Sequence, residues 1–186
     1  MKTKALEGHL DWWNRYPGGQ WWEDAAAKAF HDRQYRVIER TPGEVYLARF
    51  WLSKMKGDDF DKSAESVLLH WILEPDMDQA RHDHPWNFTT EILEGWYDEE
   101  VGDRCVRRMR TGDRAQHWRP YQHRITQVSP GGVWTLVTTE TWDGDWSFYP
   151  GGVKVPHTIY QAERGDHGTQ GSAPHDHAIL SESASD

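Results

Sequence analysis

The sequence predicts an all-β domain of two packed sheets, preceded by a short helical region and followed by a polar tail. Two observations carry that expectation. From Tyr35 onward, short runs rich in Val, Ile, Tyr, Trp and Thr recur between clusters of Gly, Pro, Asp and Asn. Only one earlier stretch carries a helical signature, so the pattern is not one of alternating β and α units.

That helical stretch is residues 22–33, alanine-rich, with Glu23 and Asp24 in its first turn and Arg33 in its last. Strands are expected near 35–41, 44–53, 66–74, 86–94, 104–110, 123–128, 133–140 and 145–149. The breaks between them are Pro42-Gly43, Lys56 to Asp59, Pro75-Asp76, Gly112-Asp113, Pro130 to Gly132 and Pro150 to Gly152. About eight strands after one helix describe a sandwich or barrel, of which the jelly roll is a natural member. From 163 to 186 the chain has almost no aliphatic residues and is expected to be a flexible tail. The division is therefore a Trp-rich N-terminal helical extension over 1–34, a β-barrel over 35–162 and a tail over 163–186.

Composition removes several functions. No apolar run approaches the roughly 20 residues that cross a bilayer, and the N-terminus has no signal-peptide pattern, so a soluble, cytoplasmic setting is expected. The single cysteine, Cys105, excludes an internal disulfide and a four-thiolate metal site. A formal net charge of −9 argues against direct binding of duplex nucleic acid. Arginines concentrate locally at Arg104, Arg107, Arg108 and Arg110, where period 2 puts Arg104, Arg108 and Arg110 on one face and Arg107 on the other. Twelve tryptophans are expected to serve mainly packing, and the pairs Trp12-Trp13 and Trp21-Trp22 to mark an oligomer interface.

Eleven histidines are present, and two tripeptides repeat: His82-Asp83-His84 and His175-Asp176-His177. Residues i and i+2 of an extended segment point the same way, so His82 and His84 present two imidazoles to one ion. His123, opening a later strand, supplies a third, giving a facial triad with open positions. His175 and His177 lie in the polar tail and read as solvated. His117 receives no role. His70, on the strand before the first motif with Leu68 and Ile72 on its face, is a candidate ligand-orienting donor or substrate acid/base.

The segment His82-Asp83-His84-Pro85-Trp86 to Glu91 and Gly95, followed by Gly112-Asp113 and Pro120-Tyr121-Gln122-His123-Arg124-Ile125, resembles the two motifs of the cupin superfamily. More narrowly, it is similar to a group of bacterial and phage cupins over about residues 66–150. The resemblance implies a cupin double-stranded β-helix, or jelly roll, with metal ligands His82, His84 and His123. It also offers Glu91 as a fourth ligand, although Glu91 falls one pleat, about 6–7 Å, beyond the usual position. A divalent ion is implied, Fe(II) in first place and Zn, Ni or Mn as alternatives. Cupins often pair through edge strands, which implies a homodimer.

The chemistry so implied is a mononuclear non-haem iron oxygenase acting on a small molecule. Alternatives are a sugar isomerase or epimerase and a non-catalytic small-molecule binder. The middle position of Asp83 turns it away from the metal, which counts against 2-oxoglutarate-type ligation. Candidate catalytic residues are His70, Arg110 and Tyr97. Arg110 and Arg124 are candidates for gripping a substrate carboxylate or phosphate, and Trp86, Trp134 and Tyr97 for shaping a dry pocket.

Overall fold

The computed structural model describes residues 19–53, 65–102 and 105–163. The tryptophan pair at 12–13, Arg104 and the tail histidines lie outside those residues. Helix α1 (Trp21–His31) comes first, its start held by the Gln20 N–H donating to Glu23 Oε2 at 3.0 Å. Twelve strands follow: β1 (Tyr35–Thr41), β2 (Glu44–Trp51), β3 (Ser66–Ile72), β4 (Arg81–His82), β5 (Phe88–Glu94) and β6 (Trp96–Val101). Then come β7 (Cys105–Arg110), β8 (Arg114–His117), β9 (His123–Val128), β10 (Val133–Thr139), β11 (Ser147–Tyr149), β12 (Val155–Pro156) and helix α2 (His157–Glu163).

They form two six-stranded sheets, in the orders β1-β2-β3-β10-β5-β8 and β12-β11-β4-β9-β6-β7, every pairing antiparallel. The chain is an all-β jelly roll. The predicted strands are present, but β6 was not expected and neither were the short β4, β8 and β12.

The first sheet is covered on both faces. Its outer face carries Ala48, Phe50, Leu69, Trp71 and Trp134, which pack beneath Ala26 and Ala29 of α1. Trp71 and Trp134 stack with ring centres 5.4 Å apart and planes within 2° of parallel. Trp134 therefore anchors the helix rather than shaping the pocket, a correction to the expectation from sequence. Double coverage also explains why residues 67–72 are apolar on both faces, interrupted only by His70, instead of alternating. The inner face alternates with the outer, placing Leu47, Arg49, Leu68, His70, Ile72, Thr135 and Val137 toward the second sheet.

Between the sheets lies a second apolar layer, in which Ile92, Tyr97, Met109, Ile125 and Val133 meet. It closes one end of the barrel and leaves the other, near β4 and β9, hollow. No helix of the described residues is long and apolar enough to cross a membrane.

The turn from β9 to β10 ties these layers together. Gly132 has φ +91°, and a Cβ there would lie 2.7 Å from the Ile72 carbonyl oxygen and 2.9 Å from Trp71 Nε1. Gly131, at φ +86°, has open space around it. Gly131→Ala should therefore cost about 1 kcal/mol, the conformational term alone. Gly132→Ala should cost about 3 kcal/mol, because backbone must also move. Urea midpoints of the two variants measure the difference.

Candidate metal centre

Strands β4 and β9 are neighbours, and their register puts His82 directly opposite His123. His84 follows two residues after His82, on the same side. The three imidazoles meet with ring centres 5.1 Å (His82–His84), 5.1 Å (His82–His123) and 5.2 Å (His84–His123) apart. One nitrogen from each lies within 4.8 Å of the other two. His84 Nε2 and His123 Nε2 are 2.9 Å apart. Two nitrogens that each reach a single ion at about 2.1 Å stand roughly 3.0 Å apart at a right angle and about 3.4 Å at a tetrahedral one, so this pair lies close to the right-angle, octahedral spacing.

Protonation suits the same purpose. Burial pushes His82 down to about 4, against partial opposition from Asp76. His84 is pushed well below its ordinary value by burial, then by His82, His123 and Arg49. Both rings are therefore neutral near pH 7, the form that ligates.

Two of the three rings have a carboxylate behind them. His123 Nδ1 donates to Glu99 Oε2 at 3.0 Å, which turns the Nε2 lone pair toward His84. Glu99 has no solvent exposure. Burial would raise its carboxyl, but hydrogen bonds from His123 and Arg107 outweigh that and hold it below its usual range. Arg107 Nε reaches Glu99 Oε1 at 2.8 Å, and Arg107 Nη2 reaches the Tyr121 hydroxyl at 3.2 Å. On the other side, Asp76 Oδ2 stands 3.9 Å from His82 Nδ1. It accepts from the Tyr46 hydroxyl through its other oxygen and from Ile125 N–H at 2.7 Å.

Asp83 points away from the trio, as its middle position implies. It accepts from Ser147 N–H and from the Tyr149 hydroxyl, each at 2.6 Å, which fixes the loop bearing His82 and His84.

The remaining sequence-predicted residues divide. Glu91 is not brought to the trio: Phe88 and Thr90 line the cavity from β5, so alternation puts Glu91 on the outer face, paired in register with Arg114. The irregularity on the β5–β10 ladder falls at Leu93, too late to turn Glu91 inward. Arg110 is exposed on β7, next to inward-facing Met109, and does not reach the cavity. Arg124 is engaged with Gln79 and Glu100, at 2.9 Å each, and is no free anion grip. Tyr97 and His70 do line the cavity. Burial raises the Tyr97 hydroxyl far above its ordinary value. Burial, and then Arg49, lowers His70 well below its own.

Sequence reasoning missed Glu99, Asp76, Arg49 and His117. Glu99 alternates with Tyr97 and Val101 and so shares their face, a relation that could be used only once residues 96–101 are known to form a strand. His117 is 2% exposed, sandwiched between Phe88 and Tyr121 with ring centres 4.4 and 4.5 Å away. Its ring nitrogens have no hydrogen-bond partner among the described residues. It is part of the barrel interior, not its rim.

Above the trio the sheets enclose a cavity of about 130 Å³, lined mostly by apolar groups with His70, Arg49 and Thr135 among them. A single water needs about 10–15 Å³, so the space suits a small organic molecule.

No family model matches the chain, and no curated protein does. Similar solved structures include a candidate mannose-6-phosphate isomerase from Ralstonia eutropha JMP134, 18% identical over 56% of this chain and 91% of that chain, TM-score 0.44. Hydroxypropylphosphonic acid epoxidase from S. wedmorenis is 17% identical over 58% of this chain and 56% of that chain, TM-score 0.42. KdgF from Halomonas sp. is 10% identical over 56% of this chain and 86% of that chain, TM-score 0.41. At these values the likeness assigns no activity.

Two outcomes are expected. Glu99→Gln should weaken divalent-metal affinity about 10- to 100-fold, whereas Glu91→Gln should leave it unchanged, by competition with a chromophoric chelator. Acid should destabilise the chelator-treated protein between pH 6.5 and about 4, where the unfolded chain binds a proton that buried His117 resists. His117→Phe keeps the stack and should flatten that pH dependence by up to roughly 3 kcal/mol in chemical melts.

Proposed function

We propose that this chain is a metal-dependent jelly-roll enzyme of the cupin type, oxidising a small molecule with a mononuclear iron centre held by His82, His84 and His123. The observation that supports it most is the 2.9 Å approach of two histidine Nε2 atoms beneath a mainly apolar cavity. Three imidazole ligands leave open positions on an octahedral ion. An ion held there supplies Lewis acidity and, when it is iron, one-electron chemistry with oxygen.

What the chain's own residues do is bind, orient and exclude water. Glu99 fixes the ring of His123 by a hydrogen bond, and Asp76 stands behind His82 as a negative charge 3.9 Å away. Trp86, Phe88, Leu68 and Val137 wall the space above. These walls lower the polarity on one side of the centre, while the cavity stays partly open to solvent.

The cavity is poorly equipped for proton shuttling, which weighs against the isomerase and epimerase alternatives. Of the lining groups, burial holds the Tyr97 proton far above neutrality and makes His70 a weakened base. No Tyr–His hydrogen bond joins them among the described residues. An enzyme moving protons next to a carbonyl needs an acid or base tuned near the working pH.

The test is elemental analysis of tag-free protein beside a His82→Ala/His123→Ala double variant, followed by oxygen-uptake screening of the iron-loaded form. Near-stoichiometric iron in the parent, lost in the variant, is the expected result. Zinc with no oxygen uptake would move the assignment to non-oxidative chemistry, and equally low metal in both proteins would overturn the metal centre itself.

A further inference from the structure

Arg49 is the cation the cavity does not neutralise. It projects from the inner face of β2, a doubly covered strand, into the same space as the histidine trio. Its Nε is sealed from solvent and has no hydrogen-bond partner, and no carboxylate of the described residues pairs with it. The nearby acids are committed elsewhere: Asp76 to Tyr46, Ile125 and His82, and Glu99 to His123 and Arg107.

Register shows what stands beside it. Arg49 lies directly opposite His70 on β3, and His70 directly opposite Thr135 on β10. The three make a continuous polar row across the sheet face, with Leu68 and Ile72 on either side of His70. Thr135 is 1% exposed, and its hydroxyl also lacks a partner. Arg49 and Thr135 thus offer unsatisfied donors at two ends of one row. Burying such groups without a partner is costly, and a guanidinium matches the planar fork of a carboxylate or the edge of a phosphoryl group. The charge of Arg49 is felt at His84, so the row and the trio share one electrostatic space. Three uncharged ligands would leave a dication's charge uncancelled, adding to the need for an anion between the two.

We infer that Arg49, assisted by Thr135, docks an oxyanion of the cavity's small-molecule substrate, a carboxylate or a phosphoryl group. The inference rests on reading the cavity as a substrate site. It replaces Arg110, which is exposed on β7 away from the cavity, and Arg124, which Gln79 and Glu100 engage.

Calorimetric titration of the full chain with succinate, and separately with inorganic phosphate, tests it in chelator-treated and metal-loaded protein. The parent should show one saturable site, and the stronger probe identifies the anion. Arg49→Gln should weaken that binding at least ten-fold, Arg49→Lys should recover part of it, and Arg114→Gln, an exposed control, should change nothing. No saturable binding in the parent, or equal binding in Arg49→Gln, overturns the inference. If Arg49→Gln fails to fold by circular dichroism, Thr135→Val decides: a three-fold or greater loss supports the docking row, and unchanged affinity overturns it. Metal content of the same preparations separates the two readings. Metal without Arg49-dependent anion binding sinks this inference alone, and anion binding without metal sinks the metal centre alone.

Discussion

The hollow end of this barrel depends on one fully buried carboxylate. Glu99 sits at the centre of β6 with no access to water, where an unpaired charge would not survive. It persists because Arg107 reaches it from β7 and His123 from β9, the two strands that flank β6 in the sheet. The same contacts lock the ring of His123, and that ring fixes where His84 and His82 must lie. Sheet pairing, charge balance and ligand geometry are therefore one arrangement. Removing Glu99 leaves Arg107 without its partner and frees His123 to rotate, so it acts on both packing and metal affinity.

Against this ordered chain stand several polar groups left without partners. Arg49, Thr135 and His117 each bury donor or acceptor atoms that find nothing among the described residues. Such groups oppose folding, and they all face the interior of the same barrel. The outer side of the first sheet carries less of that burden: α1, the Trp71–Trp134 stack and Phe50 make an apolar layer there, in which the Trp22 indole N–H is left without a partner. Stability is drawn from the covered outer face, and the inner face is left to carry functional polarity. Polar sites at the expense of local stability are typical of functional interiors.

How much of this the sequence disclosed follows from the same division. Strands with an apolar inner or outer face were readable, because Val, Ile and Trp between Gly and Pro breaks announce them. The trio was readable too, since His82 and His84 share a face by spacing alone. Strand β6 was not, and neither was Glu99, for a single reason. Residues 98–100 read Asp-Glu-Glu, which looks like a solvated turn, and only the arginines of β7 across the ladder reveal it as a strand with a buried acid. Glu91 failed in the opposite sense: it matched a motif position loosely, but its side of the strand was fixed by Phe88 and Thr90. Arg110 likewise sits one residue from Met109, and one residue decides the face. Arg49 was hidden because a charge inside an apolar strand reads as an outward residue until the sheet is known to be covered on its other side.

The distribution of charge around the trio gives these pieces a common sense. Carboxylates lie one step behind two of the rings, at His123 and His82, rather than among the ligands. Such partners raise the donor strength of imidazoles; Glu99 lies outside the cavity lining, whereas Asp76 is part of it, held by the Tyr46 hydroxyl and the Ile125 N–H. Arg49 then adds a positive charge on the far wall. A pocket so built tolerates apolar groups along its walls, and it would gain most from a ligand whose negative end lies between the histidines and Arg49. Selectivity in that case comes less from shape than from a guanidinium that the one lining carboxylate, Asp76, does not pair with.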